Sequence, residues 1–156
     1  MGLKENLQSE TVSSLPLREA IAVESATLLR AAIASMRAKQ LGCAVIVAQG
    51  GRPVGIFTER SVLDVIVQGT SLDDHVVGDY ADPLFRLGSH REPIANVWEA
   101  ILREGYRFIC VTDAAGQLIG LTGQRGLAEY VAEHFPQQIM VQRLGGKPWI
   151  HQREGA

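Results

Sequence analysis

Gly120, Gly123 and Gly126 stand at three-residue intervals where an apolar run gives way to a helical pattern. Backbone amides left uncovered at such a place can gather into a small anion-binding nest, and a helix N-terminus favours negative charge through its unpaired N–H groups and its dipole. The alternative is tight packing. The spacing matches neither a Walker A loop nor a dinucleotide fingerprint. Arg125 falls in the first turn of the following helix, and Arg60 holds the matching place in the first half of the chain. Each is a candidate phosphate contact, or else a solvated or salt-bridged surface arginine. Thr58, just before Arg60, offers a hydroxyl that serves either a ligand or the helix as its N-cap.

Other chemistries find little support. His75, His90, His134 and His151 are scattered without metal-ligand spacing, and no nucleophile elbow or zinc pattern occurs, so no enzymatic activity is expected. Asp73-Asp74 reads as a solvated linker rather than a catalytic pair. Cys43 and Cys110 lie inside apolar runs and read as buried thiols, not as a disulfide framework or a metal site. A net charge of −2 with no basic run argues against nucleic-acid binding, although 12 Arg against 3 Lys leans weakly toward anion recognition. Met1 to Glu10 is polar, without the apolar core of a signal peptide. No run approaches the roughly 20 apolar residues of a membrane helix. The expectation is a cytoplasmic protein with no membrane contact.

The elements that must position these residues occur twice. Gly51-Arg52-Pro53-Val54-Gly55-Ile56 and Gly116-Gln117-Leu118-Ile119-Gly120-Leu121 share a pattern at an offset of 65, which also relates Arg60 to Arg125 and Met36 to Ile101. In each half a helical stripe (Leu28, Leu29, Ala32, Ile33, Met36; then Ile94, Val97, Trp98, Ile101, Leu102) precedes a short apolar run, Cys43 to Ala48 or Phe108 to Thr112. Thr27 stands where an N-cap belongs, and Pro93 suits a first helical position. Turn residues and a second strand follow, then a helix over Arg60 to Gln68 or Arg125 to His134. Ile21-Ala22-Val23 and Phe85-Arg86-Leu87 can each add a leading strand. The predicted order is β-α-β-β-α, repeated, in an α/β (α+β) fold.

On these residues the chain resembles CBS domains, from about Val12 to about His134. Gly42 to Val47 with Gly51 to Ser61 is similar to the core of one repeat, and Phe108 to Asp113 with Gly116 to Thr122 to the core of a second. The implied organisation is a stand-alone tandem pair: an N-terminal arm at 1–11, repeat 1 at 12–68, a linker at 69–76, repeat 2 at 77–135, and a C-terminal extension at 136–156. The resemblance implies two pseudo-symmetric repeats packed through their sheets, with two clefts that take AMP, ADP, ATP or another adenosyl ligand, and no required cofactor. It also implies a homodimer that regulates an unidentified protein partner. The alternative is a ligand-free module acting by dimerisation or protein–protein contact.

The family's ligand motif runs glycine, two apolar residues, Ser or Thr, two further residues, then Asp. The Asp accepts hydrogen bonds from the ribose hydroxyls. Here Gly55-Ile56-Phe57-Thr58-Glu59-Arg60-Ser61 keeps the hydroxyl and replaces the Asp with Ser61. Gly120-Leu121-Thr122-Gly123-Gln124-Arg125-Gly126 has glycine at both places. Losing the carboxylate is expected to weaken binding by about one to two powers of ten. The implied ligand-binding residues are Ala22, Val23, Cys43, Ala44, Thr58, Arg60 and Ser61 in one half. In the other they are Gly88, Phe108, Ile109, Gly123 and Arg125. The cleft holding Thr58 is expected to be the better preserved.

Overall fold

Short β-rich runs and amphipathic stripes become α1 (Leu3–Ser9), β1 (Ala22–Val23), α2 (Leu29–Lys39), β2 (Cys43–Val47), β3 (Pro53–Thr58) and α3 (Glu59–Val67). The second half comprises β4 (Leu87–Ser89), α4 (Ile94–Leu102), β5 (Phe108–Thr112), β6 (Leu118–Gly123) and α5 (Gln124–His134). The computed structural model describes residues 2–136, so all but the first residue of the expected C-terminal extension lies outside the described residues. Two three-stranded sheets form, ordered β1-β2-β3 and β4-β5-β6.

The repeat holds at the level of register. Ala22 pairs with Val45 and Leu87 with Cys110 in the parallel ladders, and Cys43 pairs with Thr58 and Phe108 with Gly123 in the antiparallel ones. Every pair is related to its counterpart by 65 residues. Even the irregularity recurs, at Ile46/Val47 and at Val111/Thr112. Both hairpins close through Gly51 and Gly116 at φ 78° and 80°, a left-handed conformation that glycine adopts without steric cost.

Helix entries depart from the predicted caps. Leu28 is the N-cap of α2, while the Thr27 hydroxyl accepts from the Glu24 N–H one turn earlier. Pro93 is the N-cap of α4 rather than its first residue. Neither helix has a side-chain cap, because backbone carbonyls from the opposite half do that work. Leu29 N–H donates to His75 O, and Ile94 N–H donates to Glu10 O, both at 3.0 Å. Val77 N–H likewise meets Thr27 O as Val12 N–H meets Glu92 O. The segment leading into each repeat thus docks on the helix entry of the other.

The cores show the same exchange. Leu7, Val12 and Leu15 join α4 and α5 in one cluster, and Val77 joins α2, β2 and β3 in the other. Cys110 and Leu121 of the second sheet lie in the first cluster, so the two repeats are packed through their sheets. The expected N-terminal arm includes helix α1, which packs on α4.

Candidate functional site

Where β6 runs into α5, the chain passes from extended backbone straight into a helix at Gly123. Gly123 has no side chain to cap the first turn. Beside this helix start lies a cavity of about 490 Å3, lined among others by Pro16, Arg18, Tyr106, Arg107, Phe108, Thr122, Gly123, Gln124, Arg125, Gly126 and Glu129. Arg125 Nε donates to Glu129 at 3.1 Å, and Arg107 reaches Glu59 of the first repeat at 3.9 Å. Arg18 makes no ion pair among the described residues. The Arg107 guanidinium also sits 5.6 Å from the centre of the Phe108 ring, a cation–π contact. Thr122 is 3% exposed and its hydroxyl has no hydrogen-bond partner among the described residues. Guanidinium forks, uncovered amides, a free hydroxyl and an aromatic wall make a set suited to holding an anion with a flat apolar group attached.

In the first repeat the helix-start end of the matching place is closed, while Asp64, Ala81 and Pro83, the counterparts of Glu129, Pro16 and Arg18, line a separate cavity of about 450 Å3. Thr58 is the N-cap of α3; its hydroxyl accepts from Ser61 N–H at 3.4 Å, while Ser61 Oγ accepts from Thr58 N–H at 3.1 Å. The Thr58 hydroxyl donates in turn to Asp82, whose other carboxylate oxygen accepts from Leu84 N–H at 2.8 Å. Thr58, Ser61 and Asp82 are all buried.

A proline decides this difference. In the second cleft Arg18 and Leu121 exchange both backbone hydrogen bonds, and Leu17 lies against Gly120. Pro83 stands at the position 65 residues beyond Arg18 and has no N–H to offer. Asp82 makes the bond to Ile56 O instead, at 2.7 Å, and its carboxylate reaches Thr58. The helix start expected to be better preserved is therefore the one covered by Asp82, from the segment leading into the second repeat.

Of the residues singled out in the sequence, the structure brings Phe108, Gly123 and Arg125 to the cavity. Thr58 and Ser61 are held in the buried cap, and Arg60 is exposed beside it. Cys43, Ala44 and Ile109 lie in the core, and Gly88 backs onto Ile109, where a Cβ would come within 2.8 Å of its side chain. Ala22 and Val23 form β1 away from the cavity lining. Burial pushes the Cys43 and Cys110 thiols up to about 12. Arg18, Arg107 and Thr122 escaped the sequence reading. The one hint for Arg107 is that it precedes β5 where Gly42 precedes β2; Arg18 lies over 100 residues from the strand it joins, and nothing local marks it.

Residues 12–68 match the family model described as CBS domain. The match and the paired sheets decide the architecture. The chain folds as a tandem CBS-domain pair. Among solved structures, it is similar to a CBS domain protein from Pyrobaculum aerophilum complexed with AMP, with a TM-score of 0.69 and 22% identity over 85% of this chain and 96% of that one. A CBS domain-containing protein from Bacillus anthracis gives 0.70 and 14%, covering 84% and 99%. A CBS-domain pair in complex with 5′-methylthioadenosine and S-adenosyl-L-methionine gives 0.68 and 15%, covering 79% and 96%. No curated protein sequence matches the chain. In this CBS pair no described helix is long and apolar enough to cross a membrane, and no cluster of three or more metal-ligating side chains occurs among the described residues.

Proposed function

We propose that this CBS pair is a regulatory module that binds an adenine nucleotide or related adenosyl ligand in the cavity of the second repeat and signals its occupancy to a protein partner. The observation that carries the reading is the cavity itself: about 490 Å3, in the range of small-molecule sites, with Arg18, Arg107 and Arg125 around an uncapped helix start. The AMP and S-adenosyl-L-methionine complexes of similar structures support the ligand class. The proposal includes a cytoplasmic location, which two free buried thiols suit.

A thermal-shift panel with AMP, ADP, ATP, NAD and S-adenosylmethionine tests the proposal. A ligand at 100 times its Kd is expected to add about 2.7 kcal/mol of stability. No shift with any of them at millimolar concentration would leave the second reading, a ligand-free dimerisation module. The filling of the first cleft by Asp82 favours that reading for half of the molecule.

The proposal includes a homodimer. Leu63, Ile66 and Val67 lie at i, i+3, i+4 on α3 and are 62%, 66% and 84% exposed, an apolar face that a second copy would cover. Light scattering should report a dimer whose association weakens at least tenfold in Leu63→Glu/Ile66→Glu. A monomer in the unsubstituted chain would exclude it.

A further inference from the structure

We infer that the second-repeat cavity reads phosphate and not ribose, so that its ligand class is a polyphosphate, with or without a nucleoside attached. This rests on the ligand-binding reading above and narrows it.

Gly126, at the position from which the motif's carboxylate would address the sugar, is closed to a side chain, and so is the hydroxyl position at Gly123. A Cβ at Gly123 would lie 2.6 Å from the Arg107 carbonyl oxygen, which is backbone and cannot turn away. A Cβ at Gly126 would lie 2.6 Å from the Thr122 hydroxyl and 3.3 Å from the Pro16 carbonyl oxygen. The only carboxylate among the described lining residues, Glu129, is held by Arg125 at 3.1 Å. Among the described lining residues no unpaired carboxylate is therefore left to accept the paired hydrogen bonds of a ribose diol.

The phosphate side is the opposite case. Arg18 is unpaired among the described residues, and the Arg107 side chain is 68% exposed with its carboxylate partner at 3.9 Å, so that contact is weak and exchangeable for phosphate oxygens. A planar guanidinium matches phosphate with two parallel N–H bonds. Gly123 caps nothing, and Gly123 to Gly126 at the start of the 11-residue helix α5 line the same cavity, so no capping side chain competes for the first N–H groups there. The buried Thr122 hydroxyl, without a partner among the described residues, adds one further polar group at the lining. Affinity gathered this way rises with the number of phosphates and is indifferent to what they are attached to.

The experiment is isothermal titration of the full chain with ATP, AMP, adenosine, S-adenosylmethionine and inorganic tripolyphosphate, at low and raised salt. Tripolyphosphate is expected to bind within about tenfold of ATP and to compete with it. Adenosine and S-adenosylmethionine should bind at least tenfold more weakly than ATP, with AMP between. Raised salt should weaken ATP binding. Arg18→Ala, at an exposed position, should weaken ATP and tripolyphosphate by the same factor, about tenfold. Adenosine binding as tightly as ATP, with tripolyphosphate silent, would overturn this inference and leave the proposed function standing. Silence from every compound overturns both. Unchanged affinities in Arg18→Ala would overturn the assignment to this cavity.

Discussion

Thr58→Val should destabilise the fold by about 3 kcal/mol, read as a fall in the urea midpoint at an unchanged slope. The side chain keeps its shape and loses only the hydroxyl, so the effect isolates hydrogen bonding. Two losses combine. The α3 N-cap disappears, which costs about 1 kcal/mol. The buried Asp82 carboxylate loses one of its two donors, keeping only the Leu84 N–H, and a buried carboxylate left short of a partner costs about 1.5–3 kcal/mol. Thr58→Ser keeps the hydroxyl and should lose much less. A change below 1 kcal/mol in Thr58→Val would mean that the Asp82 contact does not hold the first cleft closed.

Raising the pH from 8 to 10 should remove about another 3 kcal/mol through Cys43 and Cys110. In the folded protein burial raises both thiols to about 12, with Cys110 adding to the effect on Cys43, against an ordinary value of 9.0. A group raised on folding contributes stability that is fully present below its unfolded value and is lost as pH climbs from there toward the folded value. The window is therefore pH 9 to 12. At pH 10 the unfolded thiols are mostly ionised and the folded ones neutral. That difference is worth about 1.4 kcal/mol for each thiol. Urea titrations across this range should show the decline, and Cys43→Ala/Cys110→Ala should flatten it. Parallel profiles for the two proteins would show that the thiols ionise without unfolding.

The interplay of Thr58, Asp82 and Pro83 also marks the limit of reading the sequence. Its local signals were sufficient for the doubled β-α-β-β-α order. Amphipathic spacing, short β-rich runs and the Gly51 and Gly116 turns act over a few residues, and each constrains its own backbone. The offset of 65 read from Gly51/Gly116 and Arg60/Arg125 reappears in every strand register and in both hairpin irregularities. Boundaries moved by one to three residues where caps came from elsewhere: Thr27 gave way to Leu28 because His75 O, distant in sequence, receives the Leu29 N–H.

The clefts follow a different logic. The motif with more of its polar residues in place lies at Thr58, and on sequence that half holds the better ligand site. In the structure those polar residues serve the helix cap and Asp82, while the glycine-substituted half keeps a cavity at its helix start. The sequence by itself determined the repeat, the strands and the helix starts that can attract anions, because these depend on neighbours along the chain. Only the tertiary structure decided which helix start is accessible. That depends on which residue of a leading segment, carried across from the other repeat, can donate a backbone N–H: Arg18 at Leu121, or Asp82 at Ile56 because Pro83 cannot.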